Sequence, residues 1–108
     1  MEESTPYRLI YVTTADTEQA KSIARTVVEE RLAACVNILG AVSSFYWWDG
    51  KVQEDGEVSL IAKTRADLVE PLTRRIKELH TYACPCVVAL PIVGGNPDFL
   101  RWIGTETG

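Results

Sequence analysis

Residues 35–63 read CVNILGAVSSFYWWDGKVQEDGEVSLIAK, and the fold turns on how this stretch is interpreted. Its first half, Cys35 to Trp48, is rich in Val, Ile, Ser and aromatic residues and contains no proline, the composition of a long strand. Gly40 interrupts it where a glycine commonly marks a bulge. Asp49-Gly50 is a strong short-range hairpin signal, because both residues tolerate the positive φ of a tight turn. Lys51 to Lys63 then returns as the partner strand, polar at first and apolar through Val58, Leu60, Ile61 and Ala62. So long a hairpin projects beyond a small domain. Its tip, Phe45-Tyr46-Trp47-Trp48, would leave a large apolar patch on a monomer, so the reading predicts an oligomer.

Upstream, Tyr7 to Thr13 is β-rich and reads as a first strand. Asp16 with Gln19 has capping-box spacing, and Ala20, Ile23, Ala24, Val27 and Val28 form one helical stripe, with the helix ending near Leu32. Downstream, Asp67 with Glu70 repeats the capping spacing, and Leu68, Leu72, Ile76 and Leu79 make a second stripe. Cys86 to Leu90 is a short apolar strand stopped by Pro91. Asn96-Pro97 supplies an N-cap and first residue for a terminal helix bearing Phe99, Leu100, Trp102 and Ile103. The order β-α-β-β-α-β plus a helix predicts an α+β ferredoxin-like fold, one domain over residues 1–108. The usual strand order of that unit, 4-1-3-2, places the strands of Cys35 and Cys86 at opposite edges.

Bulk properties exclude several functions. With 108 residues, 46% hydrophobic and 24% charged, the chain suits one ordinary globular core. A net charge of −4 with no run of Lys or Arg excludes a nucleic-acid partner. No apolar stretch approaches the ~18 residues of a membrane span. Met1-Glu2-Glu3-Ser4 lacks the layout of a signal peptide, so the expected location is the cytoplasm, with no membrane partner. Three cysteines, an odd number, argue against a disulfide scaffold.

The chemistry concentrates in His80-Thr81-Tyr82-Ala83-Cys84-Pro85-Cys86, which holds the one histidine and two of the three cysteines. Imidazole and thiolate are ligands for Cu(I), Cu(II) and Zn(II). Cys35, His80, Cys84 and Cys86 are therefore the candidate metal ligands. Each also has a plain structural reading: His80 as a helix-terminal residue, Cys35 as a small core side chain, Cys84 and Cys86 as packing. A Cys–His nucleophilic pair lacks a third group to orient the imidazole, and no elbow, phosphate loop or dinucleotide motif is present. The expectation is a protein that is not an enzyme and carries no organic cofactor.

R-L-A-A-C-V-N (Arg31 to Asn37), S-x-Y-x-W-x-G (Ser44 to Gly50), K-T (Lys63-Thr64), H-x-Y-x-x-P (His80 to Pro85) and F-L-R-W-I (Phe99 to Ile103) occur in order. Together they resemble the CutA divalent-cation-tolerance family, over about Leu9 to Ile103. The resemblance implies a homotrimer akin to the PII signalling proteins, and a role in cation tolerance with copper, or zinc and other divalent cations, as the bound metal. It also implies metal binding at the cysteine of A-A-C and the histidine of H-x-Y, here Cys35 and His80. The family's last motif usually reads H-P-Y-E-x-P-E, whereas Thr81, Ala83 and Cys86 stand at its proline and two glutamates. Thiols in place of carboxylates shift the expected preference towards soft ions. Two further functions stay open: a small-ligand or signalling module using clefts between subunits, and an anchoring protein that holds a partner through the aromatic hairpin. Any site joining Cys35 to Cys84, Cys86 or His80 is expected to lie between subunits.

Overall fold

The computed structural model describes residues 5–108, so the reading of Met1 to Ser4 lies outside the described residues. Eight elements follow one another: β1 (Tyr7–Thr14), α1 (Thr17–Glu29), β2 (Cys35–Trp48), β3 (Lys51–Arg65), a 3₁₀ turn (Ala66–Leu68), α2 (Val69–Leu79), β4 (Val87–Pro91) and α3 (Pro97–Thr105). The sheet is antiparallel throughout, in the order β2-β3-β1-β4, with β2 and β4 as its edges. That is the strand order expected from the sequence.

Local chemistry explains most boundaries. The Asp16 carboxylate accepts from the Gln19 N–H at 2.9 Å, and Gln19 Oε1 accepts from the Ala15 N–H at 2.8 Å, so both side chains satisfy N–H groups at the start of α1. Asp49 and Gly50 both take positive φ, 55° and 75°, and turn the hairpin between residues 48 and 51. The register slips between Ile38 and Gly40, where Gly40 has φ 117°. At α3, Asn96 Oδ1 accepts from the Asp98 N–H at 3.0 Å with Pro97 in the first turn.

Four expectations need correction. α1 stops at Glu29 rather than near Leu32, because Arg31 swings into the left-handed region at φ 62°. The Arg31 N–H then bonds the Val28 carbonyl and the Leu32 N–H that of Val27, a Schellman ending. Asp67 does not cap α2: it sits in the 3₁₀ turn with its carboxylate paired to the Arg65 guanidinium at 2.9 Å. β4 begins at Val87, leaving Cys86 just ahead of it, and β3 runs on to Arg65.

Pairing decides which face each residue shares. Ile10 stands opposite Ala62 and Val12 opposite Leu60, and these pack under Ala20, Ile23 and Val27 of α1 and Leu72 and Ile76 of α2. Leu9, Tyr11 and Thr13, opposite Lys63, Ile61 and Ser59, therefore occupy the other face. The end of that face nearest Tyr7 lies under α3, where Gly104 lies against the Tyr7 ring and Phe99 lies 5.6 Å from the Lys63 ammonium. At the far end the hairpin tip is bare, with Trp47 73% and Phe45 66% exposed.

Candidate functional site

His80 caps the C-terminus of α2, its N–H donating to the Ile76 carbonyl at 2.9 Å. Its ring is only 8% exposed, and both nitrogens have partners. Nε2 donates to the Thr13 carbonyl at 2.9 Å, while Nδ1 accepts the Tyr82 N–H at 3.1 Å, which assigns the ring proton to Nε2. The imidazole thus stitches the end of α2 to the end of β1 and fixes the first turn of the following loop. As positioned, it has no lone pair free for a cation.

Two more bonds secure that loop. Gln19 Nε2 donates to Thr81 Oγ1 at 2.8 Å, and the Tyr82 hydroxyl donates to Glu57 Oε2 at 3.0 Å. Glu57 reaches Tyr82 because the unbroken alternation of β3 keeps it on the face of Ser59 and Ile61, and the bulge in β2 brings Gly40, Val42, Ser44 and Tyr46 onto that same face. On that face the Tyr46 hydroxyl donates to the Asp55 carboxylate. Burial, and then the bond to Glu57, push the Tyr82 hydroxyl up to about 12. Ser59 is 1% exposed and its Oγ has no hydrogen-bond partner.

Cys84 and Cys86 follow, both exposed and free. Burial, then the Glu57 carboxylate, push the Cys86 thiol up, while hydrogen bonding with Thr13 pulls the other way. Cys35 opens β2 at the opposite edge, half-buried, with its sulfur 3.6 Å from Asn37 Oδ1 and 3.9 Å from the Lys63 ammonium. Lys63 bonds Asn37 Oδ1 at 2.7 Å as well.

Register gives the separation of the two cysteine positions. Cys35 lies level with Lys63, Leu9 and Leu90, whereas Val87 lies level with Val12 and Cys86 precedes it. Three strand spacings of about 4.8 Å and four residues of about 3.3 Å place Cys35 and Cys86 roughly 19 Å apart. Among the described residues, no three His, Cys, Asp or Glu side chains are grouped to hold a metal ion. Within one chain the four candidates do not form a closed site. Cys84 and Cys86 remain an open pair of soft donors, which suits part of a thiophilic site and nothing harder.

Sequence reasoning missed Glu57, which reads as part of a solvated acidic turn. Its only signal is the period-two alternation along β3 that puts it on the face of Ser59 and Ile61, and nothing in that alternation announces Tyr82 as its partner.

Comparison with known proteins gives a consistent result. Residues 8–106 match the family model described as CutA1 divalent ion tolerance protein. A chloroplastic protein CutA of Arabidopsis thaliana is 47% identical over 110 residues, covering 99% of this chain and 60% of that protein. The divalent-cation tolerance protein CutA of Pyrococcus horikoshii is 46% identical, covering 92% and 96%. A solved structure of the Thermus thermophilus divalent cation tolerance protein superposes with a TM-score of 0.92 at 44% identity, covering 94% of this chain and 99% of that one. The chain thus spans about 60% of the length of the plant relative.

Proposed function

Because this chain belongs to the CutA1 divalent ion tolerance family, we propose that it serves divalent-cation tolerance as a ferredoxin-like, PII-like homotrimer that binds copper or another soft or borderline ion. The observation that carries the metal reading is the exposed, disulfide-free thiol pair Cys84 and Cys86 at the head of an edge strand. Surplus packing cysteines are usually buried, and these are not. A thiol at one of the family's two carboxylate positions, Cys86, and alanine at the other, with Cys84 between them, favour Cu(I), Zn(II) or Cd(II) over hard cations.

The trimer is supported by what one chain leaves uncovered. Both sheet edges, β2 and β4, are open, and Val88, Leu90, Phe45 and Trp47 are exposed. Pairing one copy's edge with the next removes both liabilities. A complete site then draws on more than one copy, adding Cys35 or His80 of a neighbour to the thiol pair. His80 contributes only by releasing its bond to Thr13 or Tyr82. The role is binding rather than catalysis, and it is set in the cytoplasm. The described residues include no helix long and apolar enough to cross a membrane, and the plant relative is named chloroplastic.

Native mass spectrometry of the reduced protein with Cu(I), Cu(II), Zn(II) and Mg(II) tests this reading. A trimer should take up a small defined number of soft ions, and Cys84→Ser/Cys86→Ser should abolish that uptake. Equal weak uptake of Mg(II) and Cu(I), or soft-ion uptake unchanged in the double variant, would refute it.

A further inference from the structure

A cleft of about 240 Å³ lies far from the loop of Cys84, between the end of α1, the Arg31 turn and α3. Its floor is Ala33 and Ala34, both buried small residues, and its walls are Val28 and the half-exposed Trp102 indole. Glu29, Arg31 and Glu106 form the rim. A concavity that joins an aromatic wall to charged groups at its mouth offers a small molecule both apolar contact and polar recognition. Its volume falls below the ~300–1,000 Å³ of drug-sized pockets, so the ligand is small.

The rim charges specify that ligand. Arg31 touches Glu106 only through Nη1, at 3.2 Å to the carbonyl and 3.4 Å to Oε1, with its side chain 56% exposed. The remaining N–H groups of its guanidinium fork stay available to a carboxylate. Among the described residues Glu29 has neither hydrogen bond nor ion pair, so it is free to meet an ammonium. Arg31 also stands at φ 62°, where a helix ending ordinarily carries glycine, so the turn itself does not call for its side chain.

We propose that this cleft binds a small zwitterion, an α-amino acid with an apolar side chain. Its carboxylate meets Arg31, its ammonium meets Glu29, and its side chain lies against Trp102, Val28 and the two alanines. The site is independent of the metal reading.

The test titrates the intact protein with L-leucine and L-phenylalanine, and with their carboxyl-amidated and N-acetylated forms. Calorimetry reports binding, and the indole N–H resonance of Trp102, assigned with Trp102→Phe, reports its place. The free amino acids should shift that resonance saturably, and either capped form should bind several-fold to roughly tenfold more weakly, because a charge-assisted contact at the rim is then lost. Arg31→Gly suits the turn and should stay folded while losing binding by a similar roughly tenfold factor, with Glu29→Gln behaving alike. No saturable shift up to about 10 mM ligand, a level at which even millimolar Kd values register, overturns the proposal. So does equal binding of capped and free forms, or full binding by Arg31→Gly.

Discussion

Replacing His80 with alanine should destabilise the protein by about 3 kcal/mol without unfolding it, and the size of that loss follows from two bonds. The ring donates to the Thr13 carbonyl and accepts from the Tyr82 N–H, and it is 8% exposed. Removing it strands both backbone groups, and each stranded group costs about 1–3 kcal/mol when kept from water. Tyr82 lies at the surface, so water reaches its N–H and that term falls at the low end. Thr13 is buried, and its carbonyl bears the larger share. A domain of this size has about 5–15 kcal/mol in reserve, so the variant folds. At ~4–8 °C per kcal/mol the midpoint drops by roughly 12–24 °C. Urea unfolding at one fixed protein concentration measures the change, since an assembly's stability depends on concentration. His80→Asn places an amide oxygen near the position of Nδ1 and should recover about 1 kcal/mol by accepting the Tyr82 N–H. A loss below about 0.5 kcal/mol for His80→Ala would refute the reasoning, because neither bond would then be worth its usual net value.

Two further outcomes follow from the same corner. Ser59→Ala should be neutral or stabilising by up to about 2 kcal/mol in urea unfolding, because it removes a buried hydroxyl that has no partner; a clear destabilisation would show that Oγ is bonded in the assembled protein. Tyr82, raised to about 12 from 10.0, keeps its proton in the folded state where the unfolded chain has lost it. Stability is therefore intact below pH 10 and falls as pH rises through the window from 10 towards about 12. Tyr82→Phe should flatten that part of the profile of urea midpoints against pH, and a profile unchanged by the substitution would count against burial and the Glu57 contact raising this hydroxyl.

Much of this architecture was legible because it depends on neighbouring residues alone. The Cys35–Trp48 strand, the Asp49-Gly50 turn, the Gly40 irregularity and the Asn96-Pro97 helix start are each dictated within a few positions of chain. Where a competing local option existed, the reading slipped. Arg31 gave no glycine to announce the end of α1, and Asp67 found Arg65 two residues away instead of capping α2. The exposed thiols Cys84 and Cys86 were found as candidate ligands by residue type, and their accessibility came from the structure.

The rest was settled by distance through space. Whether His80 offers a lone pair or spends both nitrogens depends on the Thr13 carbonyl, 67 residues away. Glu57 joins the site only because the loop after α2 brings Tyr82, 25 residues away, back over its face of the sheet. The zwitterion cleft exists only where α3 packs back beside the Arg31 turn, joining residues 28–34 to residues 102–106. Sequence by itself determined the elements and their order, since propensity and periodicity act along the chain. Tertiary structure alone decided which polar groups are satisfied and which remain free, since that depends on what each group meets across the fold.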